Sequence, residues 1–134
     1  MILLQETVDH LFAHAEREAP IEACGYLAGN GDLVVKHFPM TNVDNSTEHF
    51  SFDPAEQFAI LKKARNEGFT ITGVYHSHPA SPARPSKEDV QLAFDPSLVY
   101  IIISLLNERT TIKGYRIRKG TVEEEPLIIS GERV

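Results

Sequence analysis

Residues 75–89 read Tyr75-His76-Ser77-His78-Pro79-Ala80-Ser81-Pro82-Ala83-Arg84-Pro85-Ser86-Lys87-Glu88-Asp89. Thr70 to His78 has the character of a strand, and in a strand alternate side chains share a face. His76 and His78 then point the same way, with Val74 behind them. Two imidazoles two residues apart on a strand have the spacing to ligate one zinc ion. Pro79 has no N–H for the ladder, so the pair lies at the strand's C-terminal end, where a cleft can open. Alone, His-x-His is a weak signal, because polar histidines are common at strand ends.

Seven residues further on comes Ser86-Lys87-Glu88-Asp89. Asp89 offers a hard oxygen that suits zinc beside two nitrogens. Two histidines and one carboxylate leave a fourth position for water, the form of a catalytic rather than a structural site. The same four residues have a purely structural reading. Ser-x-x-Asp before an apolar run starts a helix: Ser86 caps, and Asp89 sits in the first turn, favoured by the helix dipole. The two readings are compatible, and both stand. A hydrolytic site also needs a base. Glu22 stands just before the apolar stretch Ala23 to Ala28; on its own it reads as a solvent-exposed residue following a helix.

Outward from this centre the chain alternates helix and strand signals. Ile2 to Leu4 is a short strand. Glu6 to Ala19 carries Val8, Leu11, Phe12, Ala15 and Ala19 at helical spacing and stops at Pro20. Ala23 to Ala28 and Leu33 to Phe38 are strands around a turn at Gly29-Asn30-Gly31. Phe50 and Phe52 flank Ser51 in a short alternating strand. Asp53 caps a second helix, with Pro54 at its first position and Glu56 three residues after the cap. Phe58, Leu61 and Ala64 form its apolar stripe, and Gly68 stops it. Ser86 to Phe94 is a short helix. Val99 to Leu106, Thr111 to Arg118 and Val122 to Ile129 are strands joined by turns. Short connections imply much antiparallel pairing, and the mixture implies an α+β or mixed α/β layered domain.

The 134 residues fit one domain, 1–134, with enough chain to bury a core. The net charge of −6 argues against nucleic acid and anionic membranes as partners. The single cysteine, Cys24, rules out an internal disulfide and a cysteine-rich zinc knuckle. Met1 to Glu6 lacks the basic and long apolar regions of a signal peptide. The longest apolar run, Val99 to Leu106, is too short to span a bilayer. The expectation is a cytoplasmic protein with no membrane partner. Apolar strands such as Val99 to Leu106, and the edge near Leu127, allow a homo-oligomer that covers them.

Taken together, Glu22, His76-Ser77-His78, the seven residues Pro79 to Pro85, Ser86 and Asp89 resemble the signature of the JAMM (MPN+) metalloproteases. Glu-x-Cys-Gly-Tyr-Leu-x-Gly at 22–29 is similar to the family's early strand, and Phe50-Ser51-Phe52-Asp53-Pro54 to the lead into its second helix. The resemblance implies the MPN, cytidine-deaminase-like fold, a central mixed sheet flanked by helices. It implies one zinc per chain on His76, His78 and Asp89, Glu22 as general base, and Ser86 stabilising the oxyanion. The implied reaction is hydrolysis of a peptide or isopeptide bond. Minimal prokaryotic members imply a substrate too: a ubiquitin-like or sulfur-carrier protein, cut at its C-terminus. The competing class is a non-catalytic MPN scaffold or interaction module. Such relatives lack one or more of the five residues, and this chain has them all.

Other signals lead elsewhere. Cys24 reads as an inert buried strand cysteine rather than a nucleophile. His10 and His14 are spaced i, i+4, but the glutamate of a His-Glu-x-x-His site is missing; they belong at the edge of the stripe or in solvent. His37 and His49 have no partner pattern. A nucleobase deaminase would want His-x-Glu and a later Pro-Cys-x-x-Cys; here the residue after Ser77 is His78, and there is only one cysteine. Glu123-Glu124-Glu125 reads as a solvated strand edge or turn.

Overall fold

Punctuation by Pro20, Gly31, Gly68 and Pro79 divides the chain much as the spacing predicts. The computed structural model describes residues 1–106 and 111–131. In order, the elements are β1 (Ile2–Leu4), α1 (Gln5–Glu18), β2 (Cys24–Asn30), β3 (Leu33–Met40), α2 (Pro54–Asn66), β4 (Thr70–His78), α3 (Lys87–Gln91), β5 (Val99–Ser104), β6 (Thr111–Arg118), β7 (Thr121–Glu125) and β8 (Ile128–Ser130). The turn expected between Leu106 and Thr111 lies outside the described residues.

The strands form one mixed sheet in the order β7-β6-β5-β4-β2-β3-β1-β8. β4 runs parallel to β5, and β1 parallel to both β3 and β8, while the other pairs are antiparallel. The outermost strands, β7 and β8, are separated in the chain only by Pro126 and Leu127, so the sheet curls until its two ends approach. The Met1 ammonium fastens that closure, donating to Glu125 Oε2 at 3.2 Å.

Alternation along the strands sorts the core into two layers. Leu3, Leu27, Val34, Tyr75, Ile101 and Ile103 meet Val8, Leu11 and Ala15 of α1 on one face. Tyr26, Ala28, Phe38, Met40 and Val74 meet Ala64 and Ile60 of α2 on the other. Beside this second layer, Ile102, Tyr115 and Ile117 receive Ala83, Val90 and Ala93 from the α3 region. α2 begins as its sequence requires: Asp53 Oδ2 accepts the Glu56 N–H at 3.2 Å, with Pro54 in the first turn.

Several expectations are corrected. Phe58 and Leu61 face outward (70% and 37% exposed), and α2 turns Ile60 and Ala64 to the sheet instead. Gln57, on that same side, donates to Tyr26 Oη at 2.7 Å. The predicted strand Val122 to Ile129 is two strands at opposite edges, because Pro126 cannot continue a ladder. Phe50 to Phe52 contributes a single bridge, Asn42 to Phe52. α3 ends at Gln91, leaving Leu92 to Phe94 outside it. Val99 to Ser104 is a central strand, covered by β4, β6 and α1, and Leu127 packs against the first core layer. In the two segments that allow a homo-oligomer, Leu106, Ile128 and Ile129 stay exposed. No helix among the described residues is long and apolar enough to cross a membrane.

Candidate metal centre and the clefts beside it

His76 and His78 stand at the end of β4 on the α2 face, next to Ile102 and Ser104 of the parallel neighbour β5. Both are buried. Phe50 stacks on the His76 ring with centroids 4.9 Å apart. Between them, Ser77 points to the opposite face, where its Oγ accepts the Ala23 N–H at 2.7 Å while its own N–H donates to Ala23 O at 2.9 Å. This clamp fixes the residue next to Glu22 against the residue between the two histidines.

The loop after β4 returns Asp89 to the same spot. Nε2 of His76 and Nε2 of His78 lie 3.1 Å apart, and each faces Asp89 Oδ2, at 3.2 and 3.0 Å. His78 Nδ1 lies 2.9 Å from the Pro82 carbonyl oxygen, which only accepts, so Nδ1 carries the hydrogen. Neutral His78 therefore turns a bare lone pair on Nε2 toward the site. Three electron-rich atoms held this close require a cation among them, a proton or a metal. Zinc bonds of about 2.0–2.1 Å in tetrahedral geometry would set ligand atoms about 3.3 Å apart, close to the spacing here. His76, His78 and Asp89 are the one such cluster of histidine, cysteine and acidic side chains among the described residues. The donor set of two imidazoles and a carboxylate suits zinc.

The electrostatics agree with this pairing. Burial alone would raise the Asp89 carboxyl, but with a proton rather than a metal among the three groups, hydrogen bonds from the imidazoles and from Ser86 N–H outweigh it and hold the group well below the usual carboxylate range. Burial lowers His78, and its bonds to Asp89 and Pro82 more than offset that, leaving it raised. Ser86 and Asp89 form a full capping box at the start of α3.

Glu22 is not the solvent-exposed residue that its position after a helix suggests; it is 2% exposed. Its amide donates to Ser46 O at 2.9 Å and its carbonyl accepts from Asn42 Nδ2 at 3.1 Å. Asn42 itself is buried; it also donates to His49 O and accepts from Asp44 N and Ser51 N. These contacts tie the 41–51 loop around Glu22. Glu22 Oε1 is buried with no hydrogen-bond partner. Burial, opposed by His78 and reinforced by Asp89, Glu88 and Glu48, pushes its carboxyl up to about 8. Sequence reading missed Asn42 and Ser77 as positioning residues. A polar residue between two ligands on one strand was the available signal for Ser77; Asn42 had none beyond its turn chemistry.

Of the residues set aside, Cys24 behaves as expected, and three histidines do not. Cys24 is buried with Sγ 3.9 Å from Met40 O, and burial together with nearby carboxylates pushes its thiol up to about 12, where it is no nucleophile at neutral pH. His14 is buried rather than at an edge, bonded through Nδ1 to Tyr75 Oη at 2.9 Å. His37 and His49 do find partners: His37 stacks on His10 and His49 pairs with Asp44.

Two clefts meet at the triad. One, of about 360 Å³, is largely apolar and is lined by Tyr26, Phe50, Phe52, Leu92 and Phe94 together with His76 and Asp89. The other is mixed in character, lined by Glu22, Glu48, His78, Ser86 and Lys87 together with Pro20, Pro79 and Ala80.

Comparison with known proteins identifies the family. The family model of prokaryotic homologs of the JAB domain matches residues 4–118. The CysO-cysteine peptidase of Mycobacterium tuberculosis is 36% identical over 130 residues, covering 95% of this chain and 89% of that protein. The desampylase of Haloferax volcanii is 36% identical over 109 residues, 76% of this chain and 78% of that protein. The solution structure of protein DSY2949 from Desulfitobacterium hafniense superposes with a TM-score of 0.90 at 46% identity, covering 98% of this chain and 94% of that one. The resemblance carried by the five site residues is thus one of kinship: the chain belongs to the JAB/MPN family, among its prokaryotic members.

Proposed function

We propose that the protein is a zinc peptidase that hydrolyses the bond between the C-terminal carbonyl of a sulfur-carrier or ubiquitin-like protein and an attached amine. The observation that carries this reading is the convergence of His76, His78 and Asp89 ligand atoms within 3.2 Å beside a buried, unpartnered Glu22 carboxylate oxygen. A scaffold has no use for that combination. The names of the relatives, a CysO-cysteine peptidase and a desampylase, support the substrate class.

His76, His78 and Asp89 would hold the metal. When bound, zinc supplies a Lewis acid that polarises a carbonyl and brings the acidity of water toward neutral pH. Glu22 takes a proton from the attacking water at its free Oε1 and returns it to the departing nitrogen. A cation on the triad favours the ionised Glu22 that the first step needs. Ser86 Oγ accepts the Asp89 N–H at 3.0 Å, so its own hydrogen remains to donate to the oxyanion. Ser77 and Asn42 hold Glu22 in register with the histidines and touch no reacting atom.

The test is incubation of the zinc-loaded protein with carrier proteins bearing a C-terminal extension or an amine-linked adduct, read by mass spectrometry with and without chelator. Chelator-sensitive loss of the added group is expected. An intact adduct after prolonged incubation with zinc-loaded protein would sink the reading.

A further inference from the structure

Between β4 and α3 the chain crosses a proline-rich strap, residues 79–85, which holds Pro79, Pro82 and Pro85. Each proline fixes φ and lacks an N–H, so the strap has few conformations and more acceptors than donors. Three successive carbonyls on it each meet a side-chain donor from a different strand. Ser104 Oγ of β5 donates to Ser81 O at 2.6 Å. His78 Nδ1 of β4 donates to Pro82 O at 2.9 Å, and the Arg84 N–H shares that acceptor at 2.8 Å. Tyr115 Oη of β6 donates to Ala83 O. Ser104 Oγ in turn accepts the Leu106 N–H at 3.2 Å, so its one hydrogen is committed to the strap.

The middle bond of the three acts on the candidate metal centre. Pro82 O decides which ring nitrogen of His78 carries the hydrogen, and so which one is left to face Asp89. A carbonyl on a loose loop would follow the ring rather than fix it. This one is fixed from both sides, because Ser81 and Ala83 are each pinned by a hydroxyl from another strand. Both hydroxyl residues are buried, and Ser104 is the register partner of His78 in the parallel ladder. Ala83 also packs with Ile102, Tyr115 and Ile117, the cluster that receives Val90 and Ala93 from the α3 region. The strap and the helix that carries Asp89 thus rest on one support. Both hydroxyls bond to the strap and not to the triad.

We propose that Ser104 and Tyr115 are positioning residues for the metal ligands: their hydroxyls pin Ser81 and Ala83 so that the Pro82 carbonyl holds His78 with its Nε2 lone pair toward Asp89. The proposal rests on the reading of His76, His78 and Asp89 as a zinc site.

The experiment compares Ser104→Ala, Tyr115→Phe and the double variant with unaltered protein. Ser104→Thr keeps the hydroxyl. Tyr75→Phe removes a different buried tyrosine bond, to His14 on the opposite face of the sheet. Zinc affinity is measured by competition with a fluorescent chelator. Exchange of the His78 Nδ1–H with solvent is followed by NMR in zinc-loaded protein. The double variant should bind zinc about 10–100-fold more weakly, the scale of losing a ligand-orienting partner, and each single variant less so. Its His78 ring N–H should exchange faster while the β5 amides keep their protection, which marks a local loosening. Ser104→Thr should behave as unaltered protein does. Tyr75→Phe should lower Tm and leave both readouts unchanged, whereas a merely structural role would make the two tyrosine variants alike.

A double variant that binds zinc as tightly as unaltered protein and protects the ring N–H as well overturns the proposal. Should it not fold, the same result in both single variants does so. Tyr75→Phe weakening zinc as much as Tyr115→Phe also overturns it. No substrate enters either measurement, so a protein that binds zinc and cleaves nothing overturns the hydrolase reading alone. Unaltered protein that takes up no zinc overturns the metal reading and this proposal with it.

Discussion

Asp89 and Ser86 hold each other through crossed hydrogen bonds: Asp89 Oδ2 accepts the Ser86 N–H at 2.9 Å, and Ser86 Oγ accepts the Asp89 N–H at 3.0 Å. The capping oxygen, Oδ2, is the same atom that faces both histidines. One carboxylate oxygen thus caps a helix and faces both histidines, so the two readings of Ser-x-x-Asp meet on one atom. Losing the cap should therefore loosen the ligand. Ser86→Ala is expected to cost about 0.5–2 kcal/mol of stability and to weaken zinc affinity about 10–100-fold, as loss of a ligand-orienting bond does. Ser86→Thr, which can still cap, should restore most of both. Competition with a fluorescent chelator measures the affinity. Equal zinc affinity in Ser86→Ala and unaltered protein would show that the cap does not orient Asp89.

Removing a ligand should act on metal content before anything else. Unaltered protein is expected to bind about one zinc per chain, and Asp89→Ala or His76→Ala to lose most of it, by elemental analysis after dialysis. Because the three ligand atoms converge only when β4 and α3 are in place, zinc should stabilise the folded chain. At free zinc a thousandfold above its Kd the gain is about 4 kcal/mol, seen as a rise in Tm that chelator reverses and Asp89→Ala abolishes.

At Gly25, β2, β3 and the Tyr75 ring crowd together. A Cβ there would overlap the Phe38 carbonyl oxygen and lie 2.5 Å from the Tyr75 ring. The ring cannot swing away freely, since its hydroxyl is bonded to buried His14 at 2.9 Å. Gly25→Ala is therefore expected to destabilise by about 1–3 kcal/mol, the usual cost of overpacking. Gly131→Ala, with nothing within 4 Å of the added carbon, should be neutral. Denaturant midpoints of the two variants check the contrast.

These examples show where the fold was legible and where it was not. Pattern reading places the histidines, because a strand's period of two is rigid and Pro79 marks its end. It finds the α2 start, because Asp53, Pro54 and Glu56 act through neighbouring backbone. It misplaces the α2 stripe, because Phe58 and Ile60 are both apolar and only the position of β3 and β4 decides which is covered. It misses the separation of β7 from β8, which depends on the sheet curling enough for the far edge to receive the chain. Glu22 looked exposed for the same reason: its burial comes from the 41–51 loop and from β4, both remote in sequence. The site spacing was visible locally, whereas what closes over the site is tertiary.

Glu22 should show the conflict between function and stability most directly. Its carboxyl is raised from about 4.5 in an unfolded chain to about 8 in the fold, chiefly by burial. The folded metal-free protein thus holds this proton more tightly than the unfolded chain does. The stabilisation is complete below about pH 4.5 and is lost as pH rises toward 8 and beyond, where the group must ionise in a buried place. Glu22→Gln keeps the shape and never ionises. In chelator-treated protein it is expected to match the unaltered chain near pH 4.5 and to exceed it progressively up to pH 8, by on the order of 2–4 kcal/mol. With zinc restored, the same variant should bind the metal and hydrolyse less than about 1% as fast, the usual scale for losing a general base. Melting curves across this pH range, paired with zinc titration and rate measurement, check both halves. A variant that gained no stability would show Glu22 already ionised at neutral pH without the metal. One that kept full activity would remove Glu22 from the proton path.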